Sequence, residues 1–301
     1  MNCVKPPVEE PQVTEKPQVV DRSQNNKELQ TAIKNEKYDK ALELIDKGLS
    51  PNTFFENGDT PLIWAIENRS VFSMEKFSRD QEIELGKFIE ALIKKGADVN
   101  LLSLDGYAPL NMALSRHFDE IAILIIDQGV DWNFTDKNKF NYFESALFYK
   151  RINVLRYILK FDEAIKSTIN RDALSIYFIY YWFDGVEEII DVLMSHGFKL
   201  DTSKPLLQTA LFDNNYGAVK WLLEHGITEN DATDPLFASS TILDIAFSGR
   251  RGIRRTENTE ESYEKGLKNS DKIINLVLKH LEGDNYKQRS RDEINQMNPY
   301  R

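Results

Sequence analysis

The chain has little of what several protein classes require. It contains one cysteine, Cys3, so it cannot form an internal disulfide framework or a cysteine-based zinc site. Its longest apolar runs, residues 121–126 and 176–183, are far shorter than the roughly 18 residues that a membrane-spanning helix needs. We therefore expect neither a disulfide scaffold nor a transmembrane segment.

Positive charge is also scarce. Lysine and arginine total 38 against 48 aspartate and glutamate residues, which gives a formal net charge of -10. A field of this sign repels phosphate backbones. The balance disfavours nucleic acid as a partner and favours a neutral or basic protein.

Motifs that carry chemistry are missing as well. The sequence has no glycine-rich phosphate loop, no nucleophile elbow and no paired-histidine metal helix. Of the four histidines, His196 and His225 each precede a glycine in the same position of a helical unit, and the spacing of the other two identifies no partner. We expect no catalytic residue, no metal and no cofactor, and an enzyme is the least favoured alternative.

What the sequence does contain is a helical unit that recurs. Helical periodicity begins near Lys27 and predicts a helix, a turn and a second helix that ends at Gly48, a residue type suited to a left-handed C-cap. Residues 60–65 (TPLIWA) and 106–113 (GYAPLNMA) open two later copies. Glycines that end two copies lie 33 residues apart, and a small residue precedes the terminating glycine by 16 positions in three copies.

This period and the Thr-Pro-Leu signature resemble the ankyrin-repeat family. The resemblance covers residues 26–283 and implies an all-α solenoid of about six to seven helix-turn-helix repeats, with insertions between paired helices near residues 68–81 and 248–270. The repeats around Ala146 and Tyr177 are degenerate. Residues 1–25, rich in proline and polar side chains, predict a disordered tether, and residues 284–301 a polar tail.

The resemblance also implies a concave groove lined by inter-repeat loops and first helices. Apolar residues fall at or near the loop positions: Phe54, Phe55, Leu102, Leu104, Trp132, Phe134 and Phe140. Each of these either packs beneath its loop or contacts a partner, and the last three are the leading candidates because they lie close together. The run 176–183 is apolar on every helical face, so it is either covered by the protein or supplies anchors at Tyr180, Tyr181 and Trp182.

We interpret the chain as a non-enzymatic protein-binding module that masks or scaffolds a partner. Cys3, followed by a proline-rich tether, resembles the start of a mature bacterial lipoprotein and predicts lipidation at that residue. An envelope-anchored or periplasmic ankyrin protein is in turn similar to immunity proteins that neutralise secreted antibacterial toxins. The alternative is a cytoplasmic ankyrin scaffold or a host-directed ankyrin effector, in which Cys3 has no special role.

Overall fold

The structure, a computed structural model, describes residues 22–67, 78–169, 174–201, 205–227, 241–252 and 260–298. In these ranges the chain consists of helices joined by loops. Those ranges hold sixteen α-helices, a short 3-10 helix and no β-strand, which confirms the all-α prediction. The helices are α1 (Arg22–Lys34), α2 (Tyr38–Asp46), α3 (Pro61–Glu67), α4 (Arg79–Lys94), α5 (Pro109–Ser115), α6 (Asp119–Asp127), α7 (Tyr142–Phe148), α8 (Ile152–Ile158), α9 (Asp162–Ile169), α10 (Leu174–Tyr180), α11 (Val186–Ser195), α12 (Leu206–Phe212), α13 (Tyr216–Glu224), α14 (Ile242–Gly252), α15 (Glu260–Glu282) and α16 (Arg291–Met297), with the 3-10 helix at Gly283–Asn285.

Most of the helices lie in two neighbouring rows. In the first row α1, α3, α5, α7, α10, α12 and α14 contact one another in that order. In the second row α2, α4, α6 and α8 do the same, α8 also contacts α11, and α13 contacts α15. Contacts between α1 and α2, α3 and α4, α5 and α6, α7 and α8, α12 and α13, and α14 and α15 join the rows. The apolar core is therefore the layer of side chains between adjacent helices.

The local sequence explains where the first-row helices begin and how closely they approach. Pro61 and Pro109 are the first residues of α3 and α5, where a missing N–H leaves no helical hydrogen bond unmade. Thr60 caps α3, because its hydroxyl accepts a hydrogen bond from the backbone N–H of Ile63 at 3.2 Å. Ala65 and Ala113 are fully buried, and their small side chains let neighbouring helices lie close together.

Three connecting loops, residues 47–60, 95–108 and 128–141, precede α3, α5 and α7. Asparagine side chains link each of these loops to the next. The side chain of Asn52 in the first loop hydrogen-bonds the carbonyl of Gly96 and the N–H of Asp98 in the second loop, each at 2.8 Å. Asn100 repeats this arrangement on the carbonyl of Gly129 and the N–H of Asp131. Side-chain amides thus fix the spacing of successive loops.

Each connecting loop ends in the same tight turn. The backbone N–H of Phe55, of Ser103 and of Asp136 donates to the carbonyl four residues later at 2.9 Å. The turn needs a left-handed residue, which is glycine in the first two loops and Lys139, at φ 68°, in the third. The third loop therefore keeps the geometry of the others despite its different sequence.

The structure differs from the sequence-based boundaries at both ends. Helix α1 begins at Arg22, inside the predicted tether, while Cys3 and the rest of residues 1–21 lie outside the described residues. The predicted insertion at 248–270 is largely helical, since α14 continues to Gly252 and α15 starts at Glu260. The predicted polar tail contains α16, whose Ile294 is fully buried.

Candidate binding surface

An aromatic cleft opens between the second and third connecting loops and the first-row helices α5 and α7. Its volume is about 430 Å³, within the range of about 300–1,000 Å³ typical of ligand pockets. The residues that line it are Gly106, Tyr107, Asn111, Met112, Ser115, Asp136, Lys137, Asn138, Phe140, Ser145, Phe148, Tyr149 and Tyr181. A larger depression of about 880 Å³ beside α1 and α2 is lined mainly by polar and charged side chains, so the cleft is the better apolar site.

Aromatic rings hold one wall of the cleft in place. The ring centroid of Phe148 lies 5.1 Å from that of Tyr181 and 6.1 Å from that of Phe140, and Phe140 in turn lies 5.1 Å from Tyr177. The Phe148–Tyr181 pair and the Phe140–Tyr177 pair meet edge to face, the arrangement that ring quadrupoles favour. Residues from the third loop, α7 and the end of α10 therefore form one aromatic unit.

Two charged side chains lie at the cleft, and both have partners. The carboxylate of Asp136 accepts hydrogen bonds from the backbone N–H groups of Asn138 and Phe140, at 2.8 and 2.9 Å, and so stabilises the third loop. The ammonium of Lys137 donates to the Tyr107 hydroxyl at 2.6 Å and lies 4.6 Å from the centre of that ring. This hydrogen bond raises the pKa of Lys137, so the side chain stays charged at neutral pH.

Tyr149 and Tyr181 of the cleft keep their protons at neutral pH. Burial raises the pKa of Tyr149, with a smaller contribution from the negative charge of Asp136. Burial likewise raises the pKa of Tyr181. The two hydroxyl groups remain neutral and can both donate and accept hydrogen bonds.

Asn111 is the buried polar residue of the cleft. It lies in α5, its side chain is 9% exposed, and its Oδ1 atom is buried without a hydrogen-bond partner. An acceptor left in this state destabilises a protein by about 1–3 kcal/mol. A ligand that donates a hydrogen bond to Asn111 would remove that penalty.

A row of exposed aromatic side chains continues from the cleft along the first row of helices. Phe148, Tyr180 and Phe212 are the last residues of α7, α10 and α12, and they are 44%, 58% and 54% exposed. Because α10 contacts both α7 and α12, the three helices are neighbours. We call these three residues the exposed aromatic row.

Of the residues that the sequence singled out, Phe140 and Tyr181 line the cleft and Tyr180 belongs to the exposed aromatic row. Phe54 and Leu104 are exposed at the first and second loops, where Leu104 also covers the backbone of Gly58. Leu102 is half-buried against the core.

Four of the candidate residues serve packing within the chain. Phe55 is 4% exposed and packs beneath its loop, which is the first of the two alternatives given for the loop residues. Trp132 and Phe134 are half-buried around Tyr142, with ring centroids 6.2 and 5.0 Å from it. Trp182 lies against the backbone of Gly217 in α13, and its ring is 6.2 Å from that of Trp221.

Sequence reasoning missed several residues of this surface, chiefly Tyr107, Asn111, Phe148 and Phe212. Phe148 and Phe212 each lie two positions after an alanine, Ala146 or Ala210, that the repeat register identifies as a small core residue. The same register, extended by two positions, would have found them.

Comparison with family models and with curated proteins gives no relative for this chain. No family model matches it, and no curated protein is significantly similar to it. In the described ranges, no three His, Cys, Asp or Glu side chains are grouped so that they could hold a metal ion. None of the described helices combines the length and the apolar character needed to cross a membrane.

Proposed function

We propose that this chain is a protein-binding module and that the aromatic cleft, together with the exposed aromatic row, is its contact surface. The observation that carries the proposal is the row itself: three neighbouring first-row helices each end in an aromatic side chain that is about half exposed. Contiguous exposed apolar surface marks interaction sites, and aromatic residues are enriched at protein interfaces. A partner that covers the row would remove these rings from water.

We further propose that the fold is an ankyrin-type solenoid. The sequence period of 33 residues, the two rows of helices and the asparagine links between successive loops support this assignment. In such an array the loops and first helices share one face. The cleft, which is built from loops and first-row helices, would then lie on the face that solenoids use for binding.

The proposed activity is binding without catalysis. Asp136 and Lys137, the charged groups at the cleft, already make hydrogen bonds that hold the third loop and Tyr107. A general acid or base must instead reach the reacting group of a substrate. Their present contacts favour a structural role.

The cellular setting remains the prediction made from the sequence. The first candidate is an envelope-anchored immunity protein that occludes a secreted antibacterial toxin, with the lipid on Cys3. The second is a cytoplasmic scaffold or host-directed effector. Metabolic labelling of the native gene product with a radioactive fatty acid separates them: labelling that Cys3→Ser abolishes supports the first, and absence of label supports the second.

The contact surface is tested by photocrosslinking in the cells that carry the gene. A benzophenone amino acid replaces Phe148 in one protein and Lys220, an exposed residue of second-row helix α13, in the control. We expect a protein adduct from position 148 that position 220 does not give. Equal adducts from both positions, or none from position 148, would contradict the proposed surface.

The partner identified in this way allows a quantitative test. Phe148→Ala, Tyr180→Ala and Phe212→Ala remove rings that are about half exposed in the free protein, so we expect smaller effects on folding than truncation of a buried ring would have. At least one should weaken binding by about 2 kcal/mol or more, the scale of an interface hot spot. Titration calorimetry with the purified partner measures the change, and unaltered affinity in all three variants would overturn the assignment.

A further inference from the structure

The aromatic cleft has features that define the chemistry of its occupant. Several aromatic rings line it, aromatic rings attract cations, and the ammonium of Lys137 already lies 4.6 Å from the ring centre of Tyr107. The negative charges of Asp105 and Asp136 attract that ammonium electrostatically. The formal net charge of the chain is -10. Local and overall charge both favour a positive ligand.

The unpaired amide oxygen of Asn111 adds a hydrogen-bonding requirement. Its Oδ1 atom lacks a donor, and Asn111 itself lines the cleft. The terminal torsion of an asparagine is broad and roughly two-fold, so the amide can turn its oxygen toward a ligand. A ligand that carries both a positive charge and N–H donors would satisfy the rings and Asn111 together.

We propose that the aromatic cleft receives an arginine side chain of the partner protein, which stacks on the rings of Tyr107 and Phe148 and donates a hydrogen bond to Asn111. The planar guanidinium group suits this site because it stacks on aromatic faces and offers five N–H donors. A volume of about 430 Å³ admits a single long side chain but not a folded element. This inference rests on the proposed function and specifies the partner as a protein with an exposed arginine.

Lys137 has a defined role under this proposal. In the free protein its ammonium lies at the hydroxyl end of Tyr107, 2.6 Å from the hydroxyl oxygen and 4.6 Å from the ring centre. This positive charge repels an incoming guanidinium. Removing the charge with Lys137→Met should therefore strengthen arginine binding, whereas a negatively charged ligand would lose its counter-ion and bind more weakly.

The probes are trifluoroacetyl-capped pentapeptides with arginine, norleucine or glutamate at the centre and alanine elsewhere. Fluorine NMR titrations with the full chain report their affinities. We expect the arginine peptide to bind at least ten-fold more tightly than the other two. Equal binding of the norleucine peptide, preference for the glutamate peptide, or no binding of the arginine peptide would each overturn the proposal.

Substitutions test whether the arginine peptide binds in the cleft. Phe148→Ala and Asn111→Leu should each weaken binding of the arginine peptide at least five-fold, and Lys137→Met should strengthen it at least two-fold. Met194→Ala is the control, because Met194 of α11 is 38% exposed and lies outside both the cleft and the exposed aromatic row. Equal loss in Met194→Ala, or weaker binding in Lys137→Met, would contradict the assignment.

These outcomes are separate from those of the crosslinking experiment. A partner that crosslinks at position 148 and has no need of arginine would leave the protein-binding function standing while removing this inference. Loss of the crosslink would remove the proposed contact surface whatever the peptides do.

Discussion

Asp59 is a buried carboxyl group in the turn of the first connecting loop. It is 6% exposed, and its Oδ2 atom accepts a hydrogen bond from the side chain of Asn57 at 2.5 Å. Burial, followed by the hydrogen bond and negative charge of Glu67, raises the pKa of Asp59 to about 7. The folded protein therefore holds a proton that the unfolded chain releases near pH 4.

This proton makes stability depend on pH with a definite sign. Between about pH 4 and pH 7 the folded state binds more protons at Asp59 than the unfolded state does, so the free energy of unfolding falls as the pH rises. Asp59→Asn imitates the protonated acid and removes this dependence. We expect the stability of the variant relative to the wild type to be clearly higher at pH 8 than at pH 5.

Urea unfolding of both proteins at the two pH values measures the effect. Subtracting the free energy of unfolding of the wild type from that of the variant at each pH cancels the contributions of the titrating groups that the substitution does not affect. A variant that is less stable than the wild type at pH 8 by the same amount as at pH 5 would show that Asp59 is ionised in the folded protein.

At single positions, sequence reasoning could identify apolar loop residues but not the direction of their side chains. Phe55 and Phe140 lie in loop turns of the same geometry, one as the first residue of its turn and the other as the last, yet Phe55 is buried and Phe140 lines the cleft. The two side chains also have different neighbours: Phe55 meets Trp64, whereas Phe140 meets Phe148 and, much further along the chain, Tyr177. A single sequence without relatives does not contain those pairings.

Two helix-interior glycines test how closely the elements approach one another. A Cβ atom added to Gly249 of α14 would collide with the backbone carbonyl of Leu211 in α12, whereas one added to Gly86 of α4 would meet no atom within 4 Å. Alanine is favoured over glycine in a helix by about 1 kcal/mol. The two sites therefore have the same intrinsic preference for alanine over glycine and differ in the packing around them.

We expect Gly86→Ala to raise the free energy of unfolding by about 0.5–1 kcal/mol, and Gly249→Ala to lower it by about 1–3 kcal/mol because two helices must separate. Chemical denaturation of the two variants gives both numbers. A stabilising Gly249→Ala would mean that α12 and α14 lie further apart than described.

The helices themselves were predictable where apolar periodicity is strong and not where polar contacts dominate. The sequence predicts an insertion over the first half of α15, which contains few apolar residues. It is held instead by hydrogen bonds between Asn269 and the carbonyl of Asn214, and between Asn214 and the carbonyl of Gly266. Such contacts leave no periodic signal in the sequence.

Helix α16 shows the opposite case, in which a signal was present and not used. Ser290 and Glu293 form a capping box, and Ile294 follows at once. This pattern predicts a helix start before an apolar residue. The polar composition of residues 284–301 concealed it.

At the scale of the whole molecule, every extensive contact between described helices joins helices no more than three positions apart in chain order. Stability in such an arrangement is the sum of local interfaces, and one end can open while the other stays folded. The C-terminal end has its own polar network: Arg250 of α14 and Arg291 of α16 both donate to Asp271 of α15, at 2.5 and 2.7 Å. These contacts, with buried Ile294, join the last three helices.

Shortening Ile294 should therefore loosen one end of the molecule and leave the other unchanged. Ile294 is fully buried, and truncation of such a residue to alanine costs about 2–5 kcal/mol. Met297, on the same helix but 37% exposed, is the control, for which we expect a change within about 0.5 kcal/mol on substitution by alanine.

Hydrogen exchange followed by mass spectrometry reports each helix separately. In Ile294→Ala we expect faster exchange in α14, α15 and α16 and unchanged exchange in α1 to α6, because α14 to α16 make no extensive contact with α1 to α6. Faster exchange by the same factor in all described helices would show instead that the chain unfolds as one cooperative unit.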